Sequence, residues 1–143
     1  CSNPLLRINM ASEAIGANAI FSGPQKGLTI IGKHCYGYSG SIAITSQIQT
    51  MLSFTTGKTY NIVRIQTGIT QNGGGAQSDD IETVIKLNGN VVMSRMLSHN
   101  NESGLLEAID LLIPPLTDVE ITCDNIQGTT STPTQVSLIG KVY

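Results

Sequence analysis

Residues 79–97 read DDIETVIKLNGNVVMSRML, two apolar-rich segments joined by Asn88, Gly89 and Asn90. Asn-Gly tolerates the positive φ angles that both central residues of a type I′ turn require, and this turn has the same twist as its flanking strands. Before the turn, apolar and mostly charged residues alternate. The apolar face carries Ile81, Thr83, Ile85 and Leu87. The stretch therefore predicts a β-hairpin in an antiparallel sheet that is buried on one face.

Short β-favouring segments continue on both sides of this hairpin. They span 28–31, 35–38, 41–45, 48–54 and 59–69 before it, and 105–113, 119–123 and 135–143 after it. Turn-forming residues separate them, and 127–133 is a loop rich in Thr and Ser that ends at Pro133. Eight or nine strands with almost no helix predict an all-β fold, an antiparallel β-sandwich or a barrel. Because a jelly roll places eight strands in two sheets, we predict a jelly roll over residues 28–143.

The segment 59–69 differs from the others because both of its faces are apolar. Tyr60 and Ile62 share one face, and Val63 and Ile65 share the other. A strand with this pattern is typical of the interior of a sheet that is covered on both sides. We therefore expect it to be a central strand.

Residues 1–27 lack the spacing of a strand and are predicted to form an N-terminal arm. The arm carries more apolar side chains than a free tail: Leu5, Leu6, Ile8, Ile15, Ile20 and Phe21. We expect these side chains to contact another surface, such as a neighbouring subunit.

The composition excludes several kinds of partner. Charged residues make up only 13% of the 143 residues, and the formal net charge is −2. The 13 Ser, 15 Thr, 10 Asn and 8 Gln outnumber the 8 Lys and Arg and the 10 Asp and Glu, which predicts a neutral polar exterior suited to contacts between copies. No basic patch for nucleic acid is present, and no apolar run approaches the roughly 20 residues of a membrane span. We therefore predict no nucleic-acid partner and no membrane partner.

The three cysteines, Cys1, Cys35 and Cys123, form no CxxC pair. Buried free thiols are the simplest interpretation, and a Cys35–Cys123 disulfide is the alternative. Cys1 fits a processed, lipidated terminus as well as ordinary processing or numbering, and Met10 fits a translation start, so the true beginning stays open.

Residues for catalysis or metal binding are not grouped in the sequence. His34 and His99 have no Cys or carboxylate at ligand spacing, and no two acids stand out as a catalytic pair. Asp79 and Asp80 adjoin a Gly-rich loop and are a calcium candidate, although the alternating acids of a calcium loop are missing. We predict no enzyme, no catalytic residues, no metal and no cofactor. Asn101-Glu102-Ser103 matches a glycosylation acceptor.

Four segments resemble small jelly-roll structural proteins of viruses and tailed phages, including capsid-decoration and spike subunits. They are His34-Cys35-Tyr36-Gly37-Tyr38-Ser39-Gly40, Met51-Leu52-Ser53-Phe54-Thr55-Thr56-Gly57, Lys86-Leu87-Asn88-Gly89-Asn90-Val91-Val92 and Ile113-Pro114-Pro115-Leu116-Thr117. The resemblance covers residues 34–143 and implies a component of the virion surface whose arm makes contacts between subunits. No functional residue is carried over from it.

The leading hypothesis is a non-enzymatic virion structural protein, a capsid decoration (cement) or spike subunit, that forms a homo-oligomer with other capsid proteins as partners. A trimer is the simplest closed ring for a projecting subunit, and a pentamer is compatible. The first alternative is an extracellular filament subunit that assembles by N-terminal strand donation. The second is a carbohydrate-binding module that uses loop tyrosines, or a calcium ion near Asp79.

Overall fold

The computed structural model describes residues 27–69, 80–98, 108–126 and 132–143. The described residues form ten strands, and none of them forms a helix long and apolar enough to cross a membrane. The strands are β1 (Thr29–Ile31), β2 (His34–Tyr38), β3 (Ile42–Ile44), β4 (Gln49–Thr55), β5 (Asn61–Ile69), β6 (Asp80–Leu87), β7 (Asn90–Ser98), β8 (Ile109–Ile113), β9 (Asp118–Asn125) and β10 (Thr132–Val142). The predicted arm, apart from Gly27, lies outside the described residues.

Sheet A has the order β1-β2-β10-β5-β8, and β3 also pairs with β10. Both β2 and β3 run antiparallel to β10, so they form one strand that is interrupted at residues 39–41. Ser39 bridges the interruption, because its N–H donates to the Val136 carbonyl (3.0 Å) and its hydroxyl accepts from the Val136 N–H (2.8 Å). The predicted segments 35–38 and 41–45 are thus two parts of one strand, and if they are counted as one the described strands number nine.

Sheet B has the order β4-β9-β6-β7, and every pairing in it is antiparallel. Strand β4 contains a register shift after Thr50 in its pairing with β9. The pairing of β6 with β7 contains another register shift, after Ile85. The shift in β4 explains why two consecutive residues, Met51 and Leu52, are both fully buried.

The connections between the two sheets are those of a jelly roll. From β4 onward the chain crosses from sheet B to sheet A at β5, returns for β6 and β7, and then alternates through β8, β9 and β10. The predicted all-β antiparallel sandwich is confirmed, and its strand order agrees with the predicted jelly roll.

The hairpin of β6 and β7 is confirmed together with its turn. Asn88 and Gly89 have φ angles of 51° and 81°, as a type I′ turn requires. Asn88 also joins the turn to the neighbouring strand, because its N–H donates to the Asp118 carbonyl (2.8 Å) and its side-chain oxygen accepts from the Asp118 N–H (2.9 Å).

The core lies between the sheets and is formed by alternate residues of each strand. Its fully buried members include Ile65 and Leu138 from sheet A and Ile81, Ile85 and Ile121 from sheet B. The apolar face predicted for β6 is therefore the core face. Buried polar groups satisfy one another, as in the 3.1 Å hydrogen bond between the hydroxyls of Thr67 and Thr83.

Two sequence predictions need correction. Strand β10 begins at Thr132, so Pro133 lies in a strand and not in the preceding loop. Proline is tolerated there because, among the described residues, Pro133 pairs with β3 alone, and the described ladder with β5 begins at Thr134. Strand β5 has an interior position as expected, but only one of its faces is covered by described residues: Ile65 is buried, whereas Ile62 is exposed.

Candidate interaction surface

The residues considered for metal binding in the sequence do not lie close together in the structure. Within the described ranges, no three His, Cys, Asp or Glu side chains form a group able to hold a metal ion. His34 lies exposed at the start of β2, and Asp80 begins β6. Asp79, His99 and Asn101 lie outside the described residues.

Cys35 and Cys123 are buried and free, which confirms the interpretation as buried thiols. Cys35 lies in β2 of sheet A, and Cys123 lies in β9 of sheet B next to the Thr83 hydroxyl (3.4 Å). Burial raises the pKa of both thiols, that of Cys123 to about 11. Because the thiolate is the reactive form, burial makes both side chains less reactive than an exposed thiol.

The outer face of sheet B is acidic and rich in hydroxyl groups. In its described part we define the acidic face by Glu82, Asp118, Glu120 and Asp124, with Lys86 as its lysine. Three of these carboxylates accept hydrogen bonds from hydroxyls of neighbouring strands, Asp118 from Thr55 at 2.6 Å.

Glu82 and Asp124 lie opposite each other on this face. Partial burial, and secondarily the charge of Glu82, raise the pKa of the Asp124 carboxyl.

A shallow groove of about 290 Å³ lies where the acidic face meets the β6–β7 turn. Ser53, Thr55, Lys86, Asp118 and Glu120 contribute polar groups to it. The lysine and the hydroxyls partly compensate its two carboxylates, and the groove contains neither a histidine nor a cysteine that could act as a base or a nucleophile.

The outer face of sheet A has the opposite character. Side chains alternate between core and solvent along each strand, and all four tyrosines of the chain project from the solvent side, together with aliphatic residues of β5, β8 and β10. We call this surface the tyrosine face and define it by Tyr36, Tyr38, Tyr60, Tyr143, Ile62, Leu112 and Ile139. Tyr36 is half-buried, and the other six are between 44% and 64% exposed.

The strand register places the apolar residues of the tyrosine face in two pairs, with Lys141 opposite Ile62 and Arg64 opposite Ile139 between them. Ile62 on β5 lies opposite Leu112 on β8, and Ile139 on β10 lies opposite Tyr36 on β2. The Tyr36 and Tyr38 rings are in contact, with centroids 5.3 Å apart. The face therefore crosses four adjacent strands.

The remaining two tyrosines extend the face along the β5–β10 ladder. The backbones of Tyr60 and Tyr143 exchange two hydrogen bonds, at 3.0 and 2.8 Å, so the two residues continue the pairing of these strands.

One ion pair lies within the tyrosine face. Arg64 Nε donates to Asp110 Oδ1 at 2.7 Å and its Nη2 donates to Oδ2 at 3.0 Å, a bidentate contact between β5 and β8. The hydrogen bonds from Arg64 lower the pKa of the Asp110 carboxyl. The pair is mutually neutralised. Lys141 lies within the face, between Ile62 on β5 and His34 on β2.

The structure brings together residues that the sequence did not group. The six arm residues predicted as subunit contacts, Leu5, Leu6, Ile8, Ile15, Ile20 and Phe21, lie outside the described residues, so their role stays a prediction. The carbohydrate-binding alternative relied on loop tyrosines, but Tyr36 and Tyr38 lie on β2, within the strand predicted over 35–38. The one signal in the sequence was the second apolar face of residues 59–69.

No protein-family model matches the chain, and no curated protein matches it. One solved structure that it resembles is the crystal structure of the infectious bursal disease virus VP2 subviral particle, with a TM-score of 0.43 and 15% sequence identity. The match covers 75% of this chain and 32% of the VP2 chain, so this chain spans about a third of that protein. At this level of similarity, the assignment of the fold rests on the strand order alone.

Proposed function

We propose that the protein is a non-enzymatic structural subunit of a virion that decorates or projects from the capsid surface and works by assembling with copies of itself and with other capsid proteins. The observation that supports this proposal is the tyrosine face. Tyrosine is enriched at protein interfaces, and contiguous exposed apolar surface marks contact sites in soluble proteins. The resemblance of residues 34–143 to virion proteins suggests the setting.

The distribution of polar groups favours a structural role over catalysis. The four carboxylates of the acidic face are spread along strands β6 and β9, and hydroxyls of adjacent strands bind three of them. General acid–base catalysis needs a group whose pKa is set for proton transfer, close to a second group that acts with it. The raised pKa of Asp124 comes from partial burial and a neighbouring glutamate on an open face, which does not require a substrate.

In this proposal the N-terminal arm makes a second contact between subunits, through Leu5, Leu6, Ile8, Ile15, Ile20 and Phe21. The arm has only three charged side chains, Arg7, Glu13 and Lys26, so its contact with a neighbour buries little charge. We expect a closed ring of three copies in the projecting assembly.

Native mass spectrometry of the full chain at micromolar concentration tests the assembly. We expect discrete oligomers, and a protein that stays monomeric throughout would contradict the proposal. An antibody against the chain tests the location, because it should label the outer surface of intact particles. Particles labelled only after disruption would contradict a surface location.

A filament subunit is the second candidate, and the edge strand β7 favours it. Among the described strands β7 pairs only with β6, it is nine residues long, and Val92 and Met96 are exposed on it. Such an edge is able to accept a strand from a neighbour. Deleting residues 1–20 separates the two functions, since loss of long fibres indicates a filament and loss of binding to particles indicates decoration.

A carbohydrate-binding module is the third candidate, favoured by the contacting rings of Tyr36 and Tyr38. The three exposed aliphatic side chains between the two tyrosine pairs fit a protein partner better than a sugar, which presents many hydroxyls that need hydrogen bonds. A glycan array with a calcium titration tests this candidate, and the absence of binding in both experiments contradicts it.

A further inference from the structure

The outer face of β5, which no described residue covers, suggests a contact with a specific partner. Val63 and Ile65 face sheet B and are buried, whereas Ile62 faces outward and is 46% exposed. The outward side chains of β5 are mixed, because Arg64 follows Ile62, and Tyr60 adds an apolar ring just before the strand. The described residues cover the inner face of β5 and leave this outer face without a cover.

The N-terminal arm of the same chain is the first candidate for the second cover, but the described chain begins at a different place. The carbonyl oxygen of Gly27 lies 3.0 Å from the position that a Cβ of Gly37 would occupy, next to the side chain of Leu52 in β4. Gly37 is buried and Leu52 belongs to sheet B. The described chain therefore starts at the opening between the two sheets, on the core side of β2.

An added strand is the second candidate, and the tyrosine face gives it no place to bind. The central strands β5 and β10 pair with each other. On its other side β5 pairs with β8, and β10 pairs with β2 and β3. Their backbone groups are occupied in the ladders, so the face offers side chains only. A surface of this kind matches another flat sheet face, as in sandwiches where sheets stack about 10 Å apart.

We propose that the tyrosine face packs against the tyrosine face of a second copy of this chain, about a twofold axis. The inference rests on the proposed function, since it names the contact that brings copies together. The same patch on both partners makes the contact isologous, which is the usual arrangement in homodimers.

The size of the face is sufficient for this contact. Four strands about 4.8 Å apart, with β5 extending over nine residues at about 3.3 Å each, present a flat area of about 500 Å². Two such faces bury about 1,000 Å² in total, which is the lower bound for a specific interface.

The charges also favour two tyrosine faces over a tyrosine face on an acidic face. Arg64 and Asp110 neutralise each other before the contact forms. The acidic face would instead bring four carboxylates against Ile62, Leu112, Ile139 and a single lysine, Lys141, so most of these carboxylates would lose hydration without gaining a partner. A second copy oriented by a twofold axis avoids this cost.

Oxidative cross-linking tests the contact directly. Ile139 lies on the central strand β10 between Arg64 and Tyr36, and Ile62 lies on the adjacent β5, so a twofold axis through the face passes near one of them. Each is changed to Cys in the full chain carrying Cys1→Ser, which leaves only the buried Cys35 and Cys123. Ser53→Cys, exposed on the outer face of sheet B, is the matched control.

With copper phenanthroline at micromolar protein, we expect Ile139→Cys or Ile62→Cys to form disulfide-linked dimers and Ser53→Cys to form at least tenfold fewer. Native mass spectrometry of the unmodified chain should show even-numbered species, because each isologous contact joins two copies. Two rings of three joined in this way give six copies.

The outcomes separate this inference from the proposed function. Oligomers of odd number only, with neither cysteine variant cross-linking, overturn the twofold contact and leave a structural subunit standing. A monomer under all conditions overturns both. If the cross-link forms only after residues 1–26 are deleted, the arm covers the tyrosine face and the inference is wrong.

Discussion

The two sheets of this sandwich bury similar inner faces but expose outer faces of different character. Sheet A and sheet B bury similar rows of Ile, Leu and Val toward each other. On the solvent side, sheet B presents four carboxylates and several hydroxyls, whereas sheet A presents tyrosines and aliphatic side chains. Sheet B exposes Val91 and Met96 on its edge strand β7, whereas its inner strands β6 and β9 present mainly polar side chains to solvent. In our proposal, a contact beyond the monomer accounts for the apolar residues of the tyrosine face.

The largest expected effect comes from disturbing the backbone beneath the tyrosine face. Gly140 lies on β10 between Val63 and Cys35, and a Cβ there would overlap the Ile62 carbonyl oxygen and lie 2.7 Å from Val63 Cα. Because β5 must shift to make room, we expect Gly140→Ala to lower the free energy of unfolding by about 3 kcal/mol or more. Urea denaturation measures this change.

Gly57→Ala is the control for this substitution, because a Cβ at Gly57 meets nothing within 4 Å and its φ is not positive. We expect it to leave the unfolding midpoint unchanged. Equal stability of the two variants would show that sheet A adapts and that the β5–β10 spacing does not determine the face.

The next effect concerns association and distinguishes the two faces. Ile62→Lys with Ile139→Lys places charges in the tyrosine face, and in a twofold contact each charge occurs twice. We expect the dissociation constant of the oligomer to rise at least tenfold, about 1.4 kcal/mol, while the thermal midpoint of the monomer stays unchanged because both side chains face solvent. Sedimentation equilibrium measures the constant.

Ser53→Lys adds a lysine to the other face and should leave association unaffected. If Ser53→Lys weakens association as much as the double variant does, the contact is not specific to the tyrosine face. A double variant that associates normally would contradict the contact itself.

The smallest effect concerns the acidic face and depends on pH. The raised pKa of Asp124 means that the folded protein binds its proton more tightly than the unfolded chain does, so the ionised carboxylate destabilises the fold at neutral pH. Asp124→Asn should therefore raise stability at pH 7, within the roughly 0.5 kcal/mol typical of surface positions. The gain should vanish as the pH falls below about 4, where aspartate is protonated in both states.

Asp110→Asn on the tyrosine face should show the opposite sign. The lowered pKa of Asp110 contributes stability that is present above the ordinary aspartate pKa and is lost as the pH falls through the lowered value. Thermal melts of both variants between pH 3 and pH 7, about the range in which aspartates titrate, measure the two slopes. Slopes of the same sign would contradict the assigned causes.

Much of the fold follows from local patterns in the sequence. The alternation before Asn88-Gly89 predicted the hairpin, its turn type and its buried face, because period-two spacing and positive φ are local properties. The extent of β10 was mispredicted at Pro133 because tolerance of a proline depends on which neighbouring strands pair there.

The interaction surface was much harder to predict. Tyr36, Ile62, Leu112 and Ile139 are far apart in sequence and become neighbours only through the register of four strands. The two apolar faces of 59–69 predicted a strand covered on both sides, but not which other residues would share its outer face. The arm residues were chosen by composition, which identifies an apolar segment and not the surface that it contacts.

Covalent labelling of side chains by hydroxyl radicals, at nanomolar and at micromolar protein, tests the central claim most directly. Tyr38, Tyr60 and Tyr143 report on the tyrosine face, and the exposed Met96, opposite Glu82, reports on the acidic face. We expect the reactivity of the tyrosines to fall severalfold as the concentration rises, while that of Met96 stays constant. Tyrosines that react equally at both concentrations, or protection of Met96 alone, would contradict the claim that copies meet through the outer face of sheet A.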